Sequence, residues 1–524
     1  MSFWTLDSIK SIVGGTWICR PESLAERIAA GETPLGGVST DTRTIRPGNV
    51  FFALRGDRFD GTAFVAAAAR GGAPLAIVNP HDGPGESHPV LAALEPEARA
   101  SMGVLVAPDD TGAALLRLAG AYRKTLEGTR VIAVGGSNGK TTTTQLIHAV
   151  LGEQFRGSAS IKSFNNAVGV PLTIFGARKG DQYLVCEVGT NAPGELATLA
   201  SVIAPDIAVI TSIGREHLEG LGSLAGVARE EASLLSFLRP GGVAIVPADA
   251  PELGDAIRVL AIGEGARAPT FVRFGVGEQA DLRVTSVEAS RSPETPGVRF
   301  QLNGRFWYQI PLVGEHNALN AAAAIGVARR LGMVQADIER GLLSARGPAM
   351  RMELRSATFA GGELRVLNDA YNANPDSMLA AIRTLATLGA GATRRVAILG
   401  DMLELGPSSR ELHAEIGRAI ASSGTADLCV FVGEHMQHAA AIVRTTSPQT
   451  RVVNVPSSEP AEVALMLREL RPGDFVLLKG SRRMALERVL VAIEADGREA
   501  GGVKHENDKL TAIEPKAPTP AKAP

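Results

Sequence analysis

From Thr111 onward the apolar positions of the chain fall into two alternating patterns. Short unbroken runs, "VIAVGG", "YLVCEV", "IAVITSI" and "GGVAIVP", predict buried strands, because a strand covered on both faces needs apolar side chains at successive positions. Between them lie stretches of helical periodicity. "HNALNAAAAIGVARRLG", alanine-rich and closing on glycine, predicts a helix. After Arg351 the alternation restarts with "LRVLND", "RRVAILGD", "LCVFVG" and "DFVLLKG", each followed by a helical segment, which predicts another parallel sheet with helical crossovers. Up to about Asp109, glycine and proline punctuate short apolar runs such as Val50–Leu54, the pattern of a small α/β domain. The periodicity disappears at "REAGGVKHENDKLTAIEPKAPTPAKAP", which reads as a disordered tail. The expected divisions are 1–108, 109–346, 347–498 and a tail 499–524, with no internal repeat.

Length agrees with this division, since 524 residues at roughly 100–200 per domain make about three. The 53 basic and 55 acidic residues nearly cancel, so no basic surface advertises nucleic acid or anionic lipid. Cys19, Cys186 and Cys429 are far apart and odd in number, indicating neither a disulfide framework nor a zinc site. "MSFWTLDSIKSIV" makes a poor signal peptide, and no apolar run is long enough to span a bilayer. The expectation is a soluble cytoplasmic protein without membrane insertion, acting as a monomer.

The strand "VIAVGG" runs into "SNGKTTTTQLIHAVL", where glycines, a lysine and four threonines stand at a strand-to-helix junction. Such a junction suits a phosphate, because glycine lets the backbone approach closely and the helix N-terminus adds unpaired N–H groups and positive potential; a glycine-rich turn that only links strand to helix, common in α/β proteins, is the alternative. Gly136, Ser137, Asn138, Gly139, Lys140, Thr141 and Thr142 are therefore the expected nucleotide cradle. Lys140 would reach the terminal phosphates and the Thr141 hydroxyl a Mg²⁺ ion. The strict P-loop spacing is not met, because Val134 stands at its first glycine.

Glu187 in "CEVGTNAPGEL" and His217 in "TSIGREHLEGLGS" follow strands whose ends open on the edge where the phosphate loop lies, so both are candidate metal ligands, although histidine is unusual for so hard an ion. Asn165 and Asn166 in "SFNNAVGVPLT" suit a polar substrate or an ordinary turn. Asp369, Tyr371, Asn372 and Asn374 in "NDAYNANPDSM" stand at a strand's carboxyl end, where α/β sheets present ligand-binding side chains. Turn formation is the alternative. Lys479 and Arg482 in "LLKGSRRMALE" are either anion binders or solvated charge.

These signals share an order. From about Gly36 to Asp496 the chain resembles the Mur ligase family, through "GVSTDTRTIRPGNVFFALRGDRFDG", "GGSNGKTTT", "NNAVGVPLT", "HLEGLGS", "GEHNALNAAAA", "NDAYNANPDSM", "LGDMLELG" and "KGSRRMALE". "YNANPDSM", "GDMLELG" and "KGSR" resemble the members that add D-alanyl-D-alanine, and the DNPR stretch expected of the diaminopimelate-adding sibling is absent. The resemblance implies a three-domain α/β architecture, with a central P-loop ATPase-like parallel sheet and a C-terminal Rossmann-like domain. It implies an ATP- and Mg²⁺-dependent ligase whose partners are UDP-N-acetylmuramoyl-tripeptide and D-alanyl-D-alanine. Ser39, Thr40, Asp41 and Arg43 would lie near the uridine, and Asn165, Asn166, Lys479 and Arg482 would serve the substrates. Lys140 and Thr141 would handle ATP phosphates and metal, with Glu187 and His217 as metal ligands. Asn317 would meet adenine, Asp369 with Asn372 the ribose, and Arg351 would stand near ATP at the hinge.

Two departures from the family stand out. "GPAMRMEL" replaces the expected Pro-Gly-Arg around Arg351. Glu231, or Glu230 one register away, stands where the family usually has a lysine that captures CO₂ as a metal-binding carbamate, so Glu231 is either the replacement ligand or a helix glutamate. The rival readings are another Mur ligase, a folylpolyglutamate synthase-like amide ligase, a P-loop NTPase switch or motor, and a nonenzymatic sugar-nucleotide binder.

Overall fold

The computed structural model describes residues 3–500, apart from 57–58, 82–87, 162, 265–267 and 293. The final helix, Glu487–Ala500, carries the backbone two residues beyond the expected boundary at 498, and the rest of the expected tail lies outside the described residues.

Among the described residues, three large sheets follow one another along the chain. The first has the strand order Thr16–Cys19, Gly103–Val106, Leu75–Val78, Val50–Phe52, Val38–Ser39, parallel except where Thr16–Cys19 joins. Among the described residues the central sheet has nine strands. Its parallel part runs Leu282–Ala289, Thr270–Gly275, Val243–Pro247, Ile207–Ile210, Arg130–Gly135, Tyr183–Glu187, Gly157–Ala159. The third sheet is ordered Glu353–Phe359, Gly362–Asn368, Asp474–Lys479, Arg394–Gly400, Leu428–Val432, Arg451–Val455, with all pairs but the first parallel.

Arg130–Gly135 shows why the central strands need apolar residues at successive positions. Side chains alternate across a strand, so Ile132 and Val134 enter one core with Leu146, Ile147 and Val150 of the helix Lys140–Leu151 and with Ala321–Ala324 of the helix Asn317–Arg330. Val131 and Ala133 enter the opposite core, with Ala119, Leu196, Leu199 and Ile203. Each fully buried aliphatic side chain contributes about 1.5–3 kcal/mol, which a solvent-facing position would forfeit. Ala321–Ala324 are all buried, and their small side chains let the helix lie close to the sheet.

The patterning did not anticipate the antiparallel edges. Leu282–Ala289, Val298–Leu302 and Phe306–Ile310 form an antiparallel flap, and Glu353–Phe359 pairs antiparallel with Gly362–Asn368. Their turns carry the signal: Asn303-Gly304 and Ala360-Gly361 both take positive φ at two successive residues, the geometry of a tight hairpin. Val298–Leu302 buries alternate residues only, as a strand with one solvated face does.

The carboxyl ends of Arg130–Gly135, Tyr183–Glu187 and Ile207–Ile210 share one edge of the central sheet. The third domain brings the ends of Gly362–Asn368 and Asp474–Lys479 to the same cleft, as α/β sheets do at ligand sites.

Candidate active site

The phosphate loop begins where Arg130–Gly135 ends. Gly136 has φ +109° and Gly139 φ +86°, and a Cβ at Gly139 would lie 2.4 Å from the Asn320 Oδ1. The loop is pinned from below: the Gly136 N–H donates to Glu231 Oε2 (2.6 Å), the Ser137 N–H to the Ser212 carbonyl (2.9 Å) and the Asn138 N–H to Ser212 Oγ (2.9 Å). These donors are spent on structure. The first bond closing the helix is Thr143 N–H to the Gly139 carbonyl, so the N–H groups of its opening turn are the ones offered to an anion.

Lys140 folds back over the loop. Its Nζ donates to the Gly136 carbonyl (2.5 Å) and the Ser137 carbonyl (3.2 Å) and lies 3.5 Å from Glu216 Oε1. Burial opposes its charge, but the carboxylates of Glu216, Glu231 and Glu187 outweigh burial and hold its pKa above the ordinary lysine value. Glu216 escaped the sequence reading although it directly precedes His217. Nothing in "GREHLEG" tells which residue turns toward the loop.

Glu187 ends its strand fully buried. Its Oε1 accepts from Asn165 Nδ2 (2.9 Å), while Oε2 is buried without a partner among the described residues. Burial pushes its carboxyl up, against the opposing pull of Arg351, Thr141, Lys140 and Asn165. An unpaired buried carboxylate oxygen beside the Thr141 hydroxyl suits a hard cation. No group of three or more His, Cys, Asp or Glu is preassembled as a metal cage among the described residues. Mg²⁺ needs none, because it keeps several waters and binds through one or two carboxylates plus phosphate oxygens. His217 opens a one-turn helix at φ +49°, and its Nδ1 lies 2.5 Å from Glu404 Oε2 of the third domain.

Glu231 lies under the loop rather than on the cleft wall. It is 1% exposed, and burial, aided by Glu216 and Glu230, pushes its carboxyl to about 7 against the pull of Lys140 and the Gly136 N–H. Its register neighbour Glu230 accepts from the Gly194 and Leu196 N–H groups (both 2.9 Å).

The opposite wall belongs to the third domain. Arg351 is flanked by Met350 and Met352, both at positive φ (60° and 53°), so the backbone takes left-handed turns without the family's glycine. Its guanidinium stacks over Tyr371 (4.1 Å) and donates to Ser163 Oγ (3.1 Å), which lies 3.1 Å from Thr141 Oγ1. Lys479 is buried, donating to Asp369 Oδ2 (2.5 Å) and the Asn372 carbonyl (3.0 Å). Asp369 Oδ1 accepts from the Met352 N–H (3.0 Å). Asn374 caps the helix Pro375–Leu388 and donates to Asn138 Oδ1 across the cleft (2.8 Å). The space between the walls is about 570 Å³, within the range of small-ligand sites.

Ser137, Asn138, Gly139, Lys140, Thr142, Asn165, Asn166, His217, Asn317, Arg351, Asp369, Asn372 and Lys479 line this cleft. Asn317 donates to the Val313 carbonyl (2.7 Å) and accepts from Asn320 (2.8 Å), and Asn166 Oδ1 accepts from the Val168 and Gly169 N–H groups as a turn former does. Arg482 pairs with Glu487 (2.7 Å) and is not among the cleft-lining side chains. Ser39, Thr40, Asp41 and Arg43 lie apart in the first domain, where the Arg43 hydrogen bonds hold the Asp41 carboxyl down to about 2.

A phosphate loop on one α/β domain, closed by the strand ends of a second and preceded by a third, is the build of multidomain nucleotide-dependent ligases. Models of the Mur ligase family catalytic domain, the Mur ligase middle domain and the Mur ligase glutamate ligase domain match residues 34–121, 134–328 and 350–482. The chain is similar to the UDP-N-acetylmuramoyl-tripeptide–D-alanyl-D-alanine ligase of Bacillus subtilis, 35% identical over 88% of this chain and 93% of the relative. The protein of that name from Treponema pallidum is 32% identical over 93% and 98%. A crystal structure of MurF from Acinetobacter baumannii superposes with a TM-score of 0.74 at 28% identity, covering 94% of this chain and 99% of that one. The chain belongs to the Mur ligase family.

Proposed function

We propose that this protein joins D-alanyl-D-alanine to the free carboxylate of UDP-N-acetylmuramoyl-tripeptide at the expense of ATP, completing a peptidoglycan precursor in the cytoplasm. The observation that carries the reading is identity along nearly the whole chain to ligases named for that reaction, together with a cleft in which the phosphate loop meets "YNANPDSM".

A carboxylate is resonance-stabilised and its oxygen is a poor leaving group, so direct attack by an amine is unfavourable. Attack of the carboxylate oxygen on the γ-phosphorus of ATP releases ADP and forms an acyl phosphate. The amine of D-alanyl-D-alanine then adds to the acyl carbon, and the tetrahedral intermediate expels phosphate as the amine loses its proton. Phosphoryl transfer depends mainly on positioning and charge neutralisation. Lys140 and the opening N–H groups of its helix supply these for the phosphates, while Arg351, held by Tyr371 and Ser163, brings a second cation from the third domain. Thr141, Glu187 and His217 would hold Mg²⁺, which would offset phosphate charge, and Glu231 would add an anionic oxygen beneath the loop. Closure of the third domain excludes water, which would hydrolyse the acyl phosphate. Ser39, Thr40, Asp41 and Arg43 serve the uridine end.

Phosphate release from ATP tests the reading directly. It should require both the UDP-linked tripeptide and D-alanyl-D-alanine, and equal turnover with ATP alone would overturn it in favour of a switch or motor.

A further inference from the structure

Four consecutive residues, Gly214 to His217, divide their contacts by parity. The even positions hold the phosphate loop: the Gly214 N–H donates to Ser137 Oγ (2.8 Å), and Glu216 Oε1 lies 3.5 Å from Lys140 Nζ. The odd positions hold the third domain. The Arg215 N–H donates to Asp376 Oδ2 (2.8 Å), its guanidinium donates to Asp376 Oδ1 (2.7 and 3.1 Å) and to Glu415 (2.7 and 3.2 Å), and His217 meets Glu404. Asp376 opens the helix Pro375–Leu388 and Glu415 belongs to the helix Ser409–Ser423, so one guanidinium ties two third-domain helices to the central domain. The gap is full: a Cβ on Gly214 would lie 2.8 Å from Asp376 Oδ2 and 3.1 Å from Asn138 Nδ2.

We infer that this strap couples docking of the third domain to the setting of Lys140, with Arg215 as a positioning residue for phosphoryl transfer; the inference rests on the ATP-dependent reading above. Glu216, the counter-charge nearest Lys140, is peptide-bonded to the residue that grips the third domain. Undocking therefore frees the backbone on both sides of Arg215 and loosens Glu216 against the ammonium. A paired, bidentate guanidinium contact is geometrically specific in a way that a single exposed pair is not. The strap thus confines carboxylate activation to the closed arrangement, in which the acyl phosphate is shielded from water.

The test is a charge swap in the full-length protein. Arg215→Glu should lower kcat about tenfold to hundredfold, the scale of a small misplacement of reacting groups. ADP affinity should fall less than kcat, because the loop itself is intact and only the third domain's contacts are withdrawn. In small-angle scattering the single variant should show a larger radius of gyration than wild type. Arg215→Glu with Asp376→Arg should recover much of the kcat loss and the compact radius, and Arg215→Lys should fall between. Gly214→Ala, which keeps every charge, should reproduce the kcat loss and serves if Arg215→Glu does not fold. An unchanged kcat, a loss the swap does not recover, or an equal loss of ADP affinity would overturn the inference. Wild-type protein without acceptor-dependent phosphate release would instead refute the proposed reaction, and scattering would still decide the docking.

Discussion

Lys140 and Lys479 line the same cleft from different domains, and each has a carboxylate partner, but the two pairs are built for different ends. Lys140 keeps 15% of its side chain exposed, has Glu216 at 3.5 Å and rests its ammonium on two loop carbonyls. Lys479 keeps 3% exposed and is locked at 2.5 Å to Asp369, with the Asn372 carbonyl as a further acceptor. Lys140 has its nearest carboxylate at longer range, so a phosphate can take over as its counter-charge without breaking a close ion pair. Lys479 has one N–H left beyond Asp369 and the Asn372 carbonyl, so an anion would share its charge with a buried carboxylate. Both stand next to glycine after or before a strand or helix boundary, so motif alone treats them alike. Exposure and partner distance separate them.

The largest effect should come from Lys140→Ala. Acceptor-dependent phosphate release should fall by about a thousandfold or more, since Lys140 is the cation proposed to neutralise the transferred group, while UDP-substrate binding changes little. A collapse of UDP-substrate affinity in the folded variant would mean that the first domain does not hold that ligand by itself. Lys479→Met should show the opposite profile. Removing one partner of a buried pair costs about 3–5 kcal/mol, read as a lower denaturant midpoint, and Lys479→Met with Asp369→Leu should be less destabilised than either single change. Equal destabilisation of the double and single variants would break the contrast.

Glu231→Gln sharpens the Lys140 side, where three carboxylates share one ammonium. The Mg²⁺ concentration for half-maximal activity should rise about tenfold, the scale of altering a metal site's supporting ligands, and wild-type activity should not respond to bicarbonate. An unchanged Mg²⁺ dependence would remove Glu231 from the metal's surroundings. The smallest effect near neutral pH is a pH dependence at His316. Burial, together with the charges of Lys479 and Arg383, lowers its imidazole to about 4 despite the opposing pull of Asp369. Between that value and about 6.5 in the unfolded chain, the unfolded state binds a proton that the folded state does not. The His316 contribution is therefore fully present above about pH 6.5 and declines as pH falls toward 4, by at most about 1.4 kcal/mol per pH unit. Melting temperatures of wild type and His316→Gln across this range should diverge on the acid side, and parallel curves would show that His316 is not kept neutral by the fold.

Much of the architecture was legible in local sequence. "VIAVGG", "RRVAILGD" and "DFVLLKG" became Arg130–Gly135, Arg394–Gly400 and Asp474–Lys479, and "HNALNAAAAIGVARRLG" became Asn317–Arg330, because burial on one or two faces writes its period into the chain. The antiparallel flap is written there too, in the Asn303-Gly304 turn. Glycines at 136 and 139 and the lysine after them likewise specify the phosphate loop, since its shape depends on backbone freedom within a few residues.

What no local pattern held was the choice of partner. That Glu216 faces Lys140 while Arg215 faces Asp376, that Glu231 supports Gly136 from below, and that Asp369 pairs with Lys479 are decisions of tertiary packing. A charged side chain in sequence carries only its chemistry. Whether it binds a ligand or holds the fold depends on how much water it keeps and which opposite charge comes within a few ångströms, and residues far apart in the chain supply both.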